Sequence, residues 1–178
     1  MAPSALDEKI LDEKIVNLAT LVVHEAADAH VSVASAESCT GGLVAGALTA
    51  VPGSSEVLLG SVVSYAISIK QKVLGVSKEI FDDPKLGAVS EPCACQMALG
   101  AQRLMGTTLA VSVTGIAGPS GAEPGKPVGT VWFGLSTPLG TRAHVMHFEG
   151  SRNEVRLQAV IHALELLRDE IVESSNSQ

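Results

Sequence analysis

Residues 31–50 read VSVASAESCTGGLVAGALTA, and a change of pattern divides this stretch into two parts. Residues 31–36 alternate small and β-branched side chains, as a short strand does. Residues 43–50 predict a helix, which Pro52-Gly53-Ser54-Ser55 ends. The turn between them, Glu37-Ser38-Cys39-Thr40-Gly41-Gly42, is polar and carries two glycines. A strand that leads through such a turn into a helix is typical of an α/β fold.

Helices and strands alternate on both sides of this stretch. Apolar residues at helical spacing, from Leu11 to Val22, predict a first helix that runs to about Ala29. The other predicted elements are strands at 57–65, 108–113, 128–135 and 142–148, helices at 67–74, from Ser90 and from the capping box 151–154, and loops at 81–87 and 114–127. This order predicts a three-layer α/β/α sandwich with a mixed, mostly parallel sheet, because the hairpin around Pro138-Leu139-Gly140 makes one strand antiparallel.

The composition is that of a globular protein. Apolar residues make up 46% of the 178 residues, charged residues 17% and aromatic residues 3%. The core is therefore expected to consist of Ala, Val, Leu and Ile, which suit helices packed on buried strands. No linker interrupts the chain, so we expect one domain over 1–178, with frayed tails at 1–8 and 174–178.

Charge and hydropathy argue against two classes of partner. The net charge is −7, and the 12 basic residues are scattered, so a nucleic-acid partner is not expected. No uninterrupted apolar segment is long enough to span a membrane, and the start of the chain does not read as a secretory signal. We therefore expect no membrane partner.

The three cysteines are Cys39, Cys93 and Cys95. An odd number without a framework spacing indicates reduced thiols and a cytoplasmic location. The Cys93-Ala94-Cys95 spacing is too tight for a usual zinc knuckle and has no second pair of ligands. We therefore expect no metal site.

Ser38 is the first candidate catalytic residue. It follows a strand and precedes a helix, so it lies at the carboxyl edge of the sheet, where open α/β sheets bind ligands. The free amides at the start of that helix are expected to face a phosphate or an oxyanion near Ser38. Cys39 is a rival nucleophile, since a helix N-terminus activates a thiolate. The structural alternative is an ordinary helix cap for Ser38 and a small apolar residue for Cys39.

Tyr65 and Lys70 form the second candidate group. Tyr65 closes a predicted strand and Lys70 lies just over one turn into the next helix, so both can reach the edge that holds Ser38. A neutral lysine amine serves as the base for serine in known Ser–Lys hydrolases, provided that its surroundings lower its pKa. Tyr65 is expected to relay the proton or to hold the tetrahedral intermediate. The structural alternative is a surface lysine and an amphipathic tyrosine.

Two further segments carry candidate ligand contacts. In the loop after the strand at 108–113, glycines next to Thr114 let the backbone approach a ligand, and Lys126 can face an anion. The alternative is a rigid crossover loop. Arg152 lies in the first turn of a helix, against the helix dipole, which suggests an anion-binding role, and the alternative is a solvated side chain. The five histidines suggest no serine–histidine pairing.

Six ordered blocks together resemble the CinA C-terminal domain family, the nicotinamide-nucleotide amidohydrolases. The match covers nearly the whole chain after the first helix, and so many blocks in order are far more specific than any one of them. The blocks are AESCTGG at 36–42, PGSS at 52–55, Tyr65 with Lys70, GAVSEP at 87–92, TGIAGP at 114–119 with KPVGTV at 126–131, and Arg152 with Val155-Arg156.

This resemblance implies metal-independent hydrolysis of the carboxamide of nicotinamide mononucleotide, without a cofactor, by a self-associating α/β/α domain. The family's serine, tyrosine and lysine fall on Ser38, Tyr65 and Lys70. The residues expected to contact substrate are Glu37, Thr40, Gly41, Gly42, Thr114, Gly115, Gly118 and Arg152. The chain departs from the family at Ile67, where Asn is common, and at Ser151, where an acidic residue is common.

Two other functions fit the same residues. A non-catalytic nucleotide-binding or regulatory module would use the helix N-terminus near Ser38 and the Gly118 loop as a phosphate cradle. A Ser–Lys hydrolase of a different amide would keep the chemistry and change the substrate.

Overall fold

The computed structural model describes residues 8–175 and builds a five-stranded sheet with helices on both faces. The helices are α1 (Glu8–Asp28), α2 (Leu43–Thr49), α3 (Ile67–Leu74), α4 (Lys78–Asp82), α5 (Glu91–Met105) and α6 (Arg152–Ser175). The strands are β1 (Val33–Glu37), β2 (Leu58–Val63), β3 (Leu109–Gly115), β4 (Thr130–Thr137) and β5 (Gly140–His147), and a 3-10 turn spans Ser54–Glu56. No helix in this part of the chain has a stretch both long and apolar enough to cross a membrane.

The sheet is mixed, as the sequence predicts. Its strand order is β2-β1-β3-β4-β5. β1 pairs in parallel with β2 on one side and with β3 on the other, while β4 runs antiparallel to both of its neighbours. Every residue of β1 is buried. Since the chain turns to opposite sides after β1 and after β2, the carboxyl end of β1 is a switch point at which open sheets bind ligands.

Two apolar cores lie on the two faces of the sheet. Alternate residues of the strands point to opposite faces, so Val33 joins one core and Ala34 the other. The larger core packs α1, α2 and α6 against β1, β3 and β4, and the smaller one packs α3, α4 and α5 against β1 and β3. The molecule therefore has the three layers that the order of elements predicts.

Small residues let α5 lie unusually close to the sheet. A Cβ atom at Gly134 would overlap the carbonyl oxygen of Ala94 on α5, and the Ser112 hydroxyl donates to that same oxygen at 2.6 Å. α5 also touches α3 closely, because a Cβ at Gly100 would overlap the carbonyl oxygen of Leu74. Backbone-to-backbone contacts thus fix α5 against β4 and α3 against α5.

The sequence predictions hold for the element types and fail at some boundaries. The helix at 67–74 is confirmed at both ends, and the capping box is formed, with the Ser151 amide 2.6 Å from a Glu154 carboxylate oxygen. The prediction of a loop at 81–87 is wrong at its start, because Phe81 lies in α4. That helix has only 5 residues, too few to show periodicity. β1 includes Glu37 and β3 extends to Gly115, one and two residues beyond the predicted ends.

The predicted frayed tails overlap the described residues in part. Glu8 begins α1, and Ser174 and Ser175 lie in the last turn of α6, so these three residues are helical. The rest of both tails lies outside the described residues.

The close contact between α3 and α5 can be tested by measuring protein stability. Gly100→Ala should lower the free energy of unfolding by about 2 kcal/mol or more, because the added methyl group meets a backbone atom that cannot move aside. Gly46→Ala is the matched control, a helical glycine with open space around its Cβ position. It should raise the same quantity by about 0.5–1 kcal/mol through helix propensity. Urea unfolding of the two variants measures both changes, and equal effects would contradict the proposed close contact.

Candidate active site

The turn after β1 is held between the ends of its two neighbouring strands. The Ser38 amide donates to the carbonyl oxygen of Val113 on β3 at 2.9 Å. On the other side, the Ser64 amide, just after β2, donates to the carbonyl oxygen of Glu37 at 2.8 Å. Gly41 and Gly42 then turn the chain into α2 with φ angles of +64° and +98°, which favour glycine. Half-buried Ser38 therefore lies at the carboxyl edge of the sheet, as predicted.

The Glu37 carboxylate occupies the start of α2. It is fully buried and accepts the amides of Gly42 at 2.9 Å, Val44 at 3.2 Å and Ala45 at 2.9 Å. The Ser35 hydroxyl adds a fourth hydrogen bond at 3.2 Å. A carboxylate at a helix N-terminus satisfies the free amides and opposes the positive end of the dipole. The prediction that these amides are free to face a ligand is therefore wrong, because a side chain of this chain already binds them.

Lys70 meets Ser38 from the other side of the sheet. Its side chain is 1% exposed, and its Nζ lies 2.9 Å from Ser38 Oγ. The same nitrogen donates to the carbonyl oxygens of Ser64 at 2.5 Å and Tyr65 at 3.4 Å. The structural alternative of a surface lysine is therefore wrong. The structure joins Ser38 and Lys70, which are 32 residues apart in sequence.

The contacts of the Lys70 amine can be satisfied in the neutral form as well as in the ammonium, whose three N–H groups match the three oxygen partners. A neutral amine has two N–H donors and one lone pair, and two of its three partners are carbonyl oxygens that only accept. The third partner is a hydroxyl, which can donate its proton to the lone pair. Burial lowers the pKa of Lys70 below the ordinary value of 10.5 by disfavouring the charged form, an effect that outweighs the opposing influence of Cys93 and Cys39.

Cys39 is a weaker nucleophile than its position suggests. The residue is 6% exposed, and burial raises the pKa of its thiol to about 11. The thiolate, which is the reactive form, is therefore scarce near neutral pH. Of the two adjacent candidates, Ser38 has the side chain that lies 2.9 Å from the Lys70 amine.

Arg156, which ends the last of the six sequence blocks, contacts the turn after Ser38. It lies on α6, and its guanidinium donates from Nε to the carbonyl oxygen of Cys39 and from Nη2 to that of Thr40, both at 3.0 Å. Its spacing of four from Arg152 places both side chains on one helical face, which is the signal available in the sequence.

Tyr65, Gly118 and Arg152 come together at the mouth of the site. Arg152 donates to the carbonyl oxygen of Gly118 at 2.7 Å, and its Nη2 lies 3.4 Å from the Tyr65 hydroxyl. The tyrosine side chain is 64% exposed. Within residues 8–175 its hydroxyl contacts Arg152, and it is the backbone carbonyl of Tyr65 that reaches Lys70. The hydroxyl is thus placed to line the opening, and among the described residues it makes no hydrogen bond that would relay a proton between Lys70 and Ser38.

Other predicted ligand contacts hold loops in place. The buried Thr114 hydroxyl donates to the carbonyl oxygen of Ala88 at 2.7 Å, and Lys126 donates to that of Leu86 at 2.5 Å and pairs with Glu123 at 3.2 Å. A Cβ at Gly115 would press on the carbonyl oxygen of Thr130 at 2.7 Å. The Thr40 hydroxyl is buried and has no hydrogen-bond partner in the described part of the chain.

The histidine contacts lie elsewhere. His144 and His162 touch each other, with 2.5 Å between their Nε2 atoms, and His147 Nδ1 lies 3.2 Å from the Thr130 hydroxyl. Across residues 8–175 no three His, Cys, Asp or Glu side chains are grouped so as to hold a metal ion.

Comparisons with known proteins agree on one protein family. The family model described as CinA C-terminal domain matches residues 15–171. A CinA-like protein of Anaeromyxobacter sp. (strain K) is 49% identical over 161 residues, which are 90% of this chain and 39% of that protein. The chain thus spans about two fifths of the length of this curated relative.

Solved structures extend the likeness to the fold. A competence-damaged protein (CinA) superfamily protein from Klebsiella pneumoniae has a TM-score of 0.85 at 33% identity, over 89% of this chain and 98% of that one. The competence/damage inducible protein CihA from Agrobacterium tumefaciens has a TM-score of 0.83 at 42% identity, over 86% and 93%.

The role of the buried Glu37 carboxylate at the start of α2 can be tested by measuring protein stability. Glu37→Gln should lower the free energy of unfolding by about 1–3 kcal/mol, because one end of the amide side chain is a donor that faces backbone donors. Glu13→Gln serves as the control, because it removes the same charge at an exposed position on α1. Urea denaturation compares the two. Equal stability in both variants would contradict the capping role of Glu37.

Proposed function

This chain belongs to the CinA C-terminal domain family, and we propose that it hydrolyses the carboxamide of nicotinamide mononucleotide to nicotinate mononucleotide and ammonia. The observation that carries the proposal is the 2.9 Å contact between Ser38 Oγ and the buried amine of Lys70. A serine hydroxyl is a weak nucleophile until a base takes its proton, and a buried amine with a lowered pKa is such a base in its neutral form. The pairing supports acyl transfer.

The first half of the reaction forms an acyl-enzyme. The neutral Lys70 amine accepts the Ser38 proton while Oγ attacks the carboxamide carbon. The tetrahedral intermediate then collapses, the C–N bond breaks, and the Lys70 ammonium returns the proton to the departing nitrogen, which leaves as ammonia. Lys70 is restored to its neutral form for the second half.

The second half releases the acid. A water molecule attacks the ester on Ser38, with Lys70 again accepting a proton. The C–O bond to Ser38 breaks, and Lys70 returns the proton to Oγ. One water molecule is consumed for each amide hydrolysed, and the free enzyme is regenerated.

The turn after Ser38 supplies donors for the oxyanion. Within residues 8–175 the amides of Cys39 and Thr40 donate no hydrogen bond to any oxygen, unlike those of Ser38, Gly41 and Gly42. Backbone amides next to a nucleophile stabilise the negative charge that develops on a carbonyl oxygen. We assign this role to the amides of Cys39 and Thr40.

Arg152 and Tyr65 are assigned to the nucleotide end of the substrate. The exposed guanidinium at the mouth of the site suits a phosphate, and the exposed ring of Tyr65 offers an aromatic surface beside it. Glu37 is assigned a structural role, because its carboxylate is fully engaged by α2. The same engagement removes the phosphate cradle on which a purely nucleotide-binding module would depend at α2.

The substrate assignment is tested with a panel of amides. Purified protein should release ammonia from nicotinamide mononucleotide at a far higher rate than from nicotinamide or glutamine, measured by a coupled ammonia assay. Ser38→Ala should lower this rate by about 10³-fold or more through loss of the nucleophile. Ser55→Ala, an exposed serine near the opposite edge of the sheet, is the control. A Ser38→Ala protein as fast as wild type would refute the nucleophile, and release from glutamine alone would refute the substrate.

The base is tested by substitution and by pH. Lys70→Met should abolish turnover while the protein stays folded, whereas Lys72→Met, an exposed lysine on the same helix, should keep wild-type turnover. In the wild-type protein kcat/KM should fall as pH drops through the Lys70 pKa, because only the neutral amine accepts a proton. Since burial lowers that pKa, the midpoint should lie below 10.5. A rate that is unchanged in Lys70→Met would show that another group is the base.

A further inference from the structure

Arg156 is a half-buried cation without an acidic partner. Within residues 8–175 it forms no ion pair, and its hydrogen bonds go to two backbone carbonyl oxygens, those of Cys39 and Thr40. A partly buried guanidinium usually pairs with a carboxylate or a phosphate. Here its donors hold the turn that follows the proposed nucleophile.

We propose that Arg156 is a positioning residue that orients the Thr40 amide toward the oxyanion, an inference that rests on the proposed function. A trans peptide is planar, and its C=O and N–H point in opposite directions. The Cys39 carbonyl and the Thr40 amide belong to the same peptide unit. By binding that carbonyl on the α6 side, Arg156 points the Thr40 N–H away from α6.

The second contact of Arg156 locks the following peptide. The Thr40 carbonyl shares its plane with the Gly41 amide, which donates to the carbonyl oxygen of Ser38 at 3.1 Å. The arginine and this turn hydrogen bond therefore hold the two ends of one peptide unit. With both peptides fixed, rotation of the Thr40 amide requires breaking at least one charge-assisted hydrogen bond.

The geometry explains why the residue is an arginine. The Nε and Nη2 donors of a guanidinium are parallel, and both reach their carbonyl oxygens at 3.0 Å. A lysine has a single nitrogen and cannot reproduce this fork. The positive charge also polarises the Cys39–Thr40 peptide, which strengthens its N–H as a donor to a negative oxygen.

A fluorophosphonate probe tests the inference without the natural substrate. Ser38 Oγ attacks phosphorus, the P–F bond breaks, fluoride leaves, the proton goes to Lys70, and the phosphoryl oxygen takes the oxyanion position. Arg156→Lys should slow labelling of Ser38 by about ten- to a hundredfold on the high-pH plateau. The pH midpoint should not move, because Lys70 keeps its contacts. With nicotinamide mononucleotide, kcat should fall by a similar factor and KM should change little.

Two further variants complete the design. Arg168→Lys removes the same fork from the same helix, where it holds Glu25 at 3.0 Å, and should leave labelling unchanged. Arg156→Gln removes both the fork and the positive charge and serves as the second variant, which should label Ser38 no faster than the lysine variant. Thermal unfolding confirms that each protein is folded.

Three outcomes would overturn the inference. Folded Arg156 variants that label at the wild-type rate would show that the arginine does not shape the oxyanion site. A raised KM with unchanged kcat would make Arg156 a substrate-binding residue instead. A wild-type protein that is not labelled at Ser38 would refute the proposed nucleophile itself, which distinguishes that failure from the first two.

Discussion

The site depends on one buried charge, the Glu37 carboxylate at the start of α2. Three backbone amides and a serine hydroxyl bind it, so the carboxylate ties the end of β1 to the first turn of the helix. A buried carboxylate is tolerated only with such compensation. The short turn that carries Ser38 spans the gap between strand and helix, and its shape follows from this tie. The arginine on α6 holds the same turn from its carbonyl side, so an anion and a cation of the protein fix opposite sides of one loop.

The contact between Ser38 and Lys70 is a product of packing across the layers. Ser38 directly follows β1, whereas Lys70 lies on α3, which packs with α5 over one face of the sheet. Small residues at both contacts, Gly134 under α5 and Gly100 beneath α3, let backbone meet backbone. Burial between these closely packed layers lowers the pKa of the Lys70 amine below its ordinary value.

The family match and the chemistry of the site support different parts of the proposed function. The family match covers residues 15–171, and the two solved CinA relatives share the fold at TM-scores of 0.83 and 0.85. The curated relative from Anaeromyxobacter is much longer, since the match spans 39% of it, so its remaining length has no counterpart among the residues compared. The serine, the buried amine and the backbone amides after Ser38 support the proposed acyl transfer. The family resemblance and the exposed arginine at the mouth support the proposed nucleotide substrate.

The sequence alone determined the element types, the mixed sheet and the position of Ser38 at its carboxyl edge. These are local properties, because hydrophobic periodicity, turn residues and capping pairs act within a few positions of each other. Only the tertiary structure showed that Glu37 fills the helix N-terminus predicted to be free, that the Tyr65 hydroxyl turns to Arg152, and that Arg156 holds Cys39 from 117 residues away. A polar side chain bonds to whatever packing brings within about 3 Å of it, and no local pattern in the sequence specifies that neighbour.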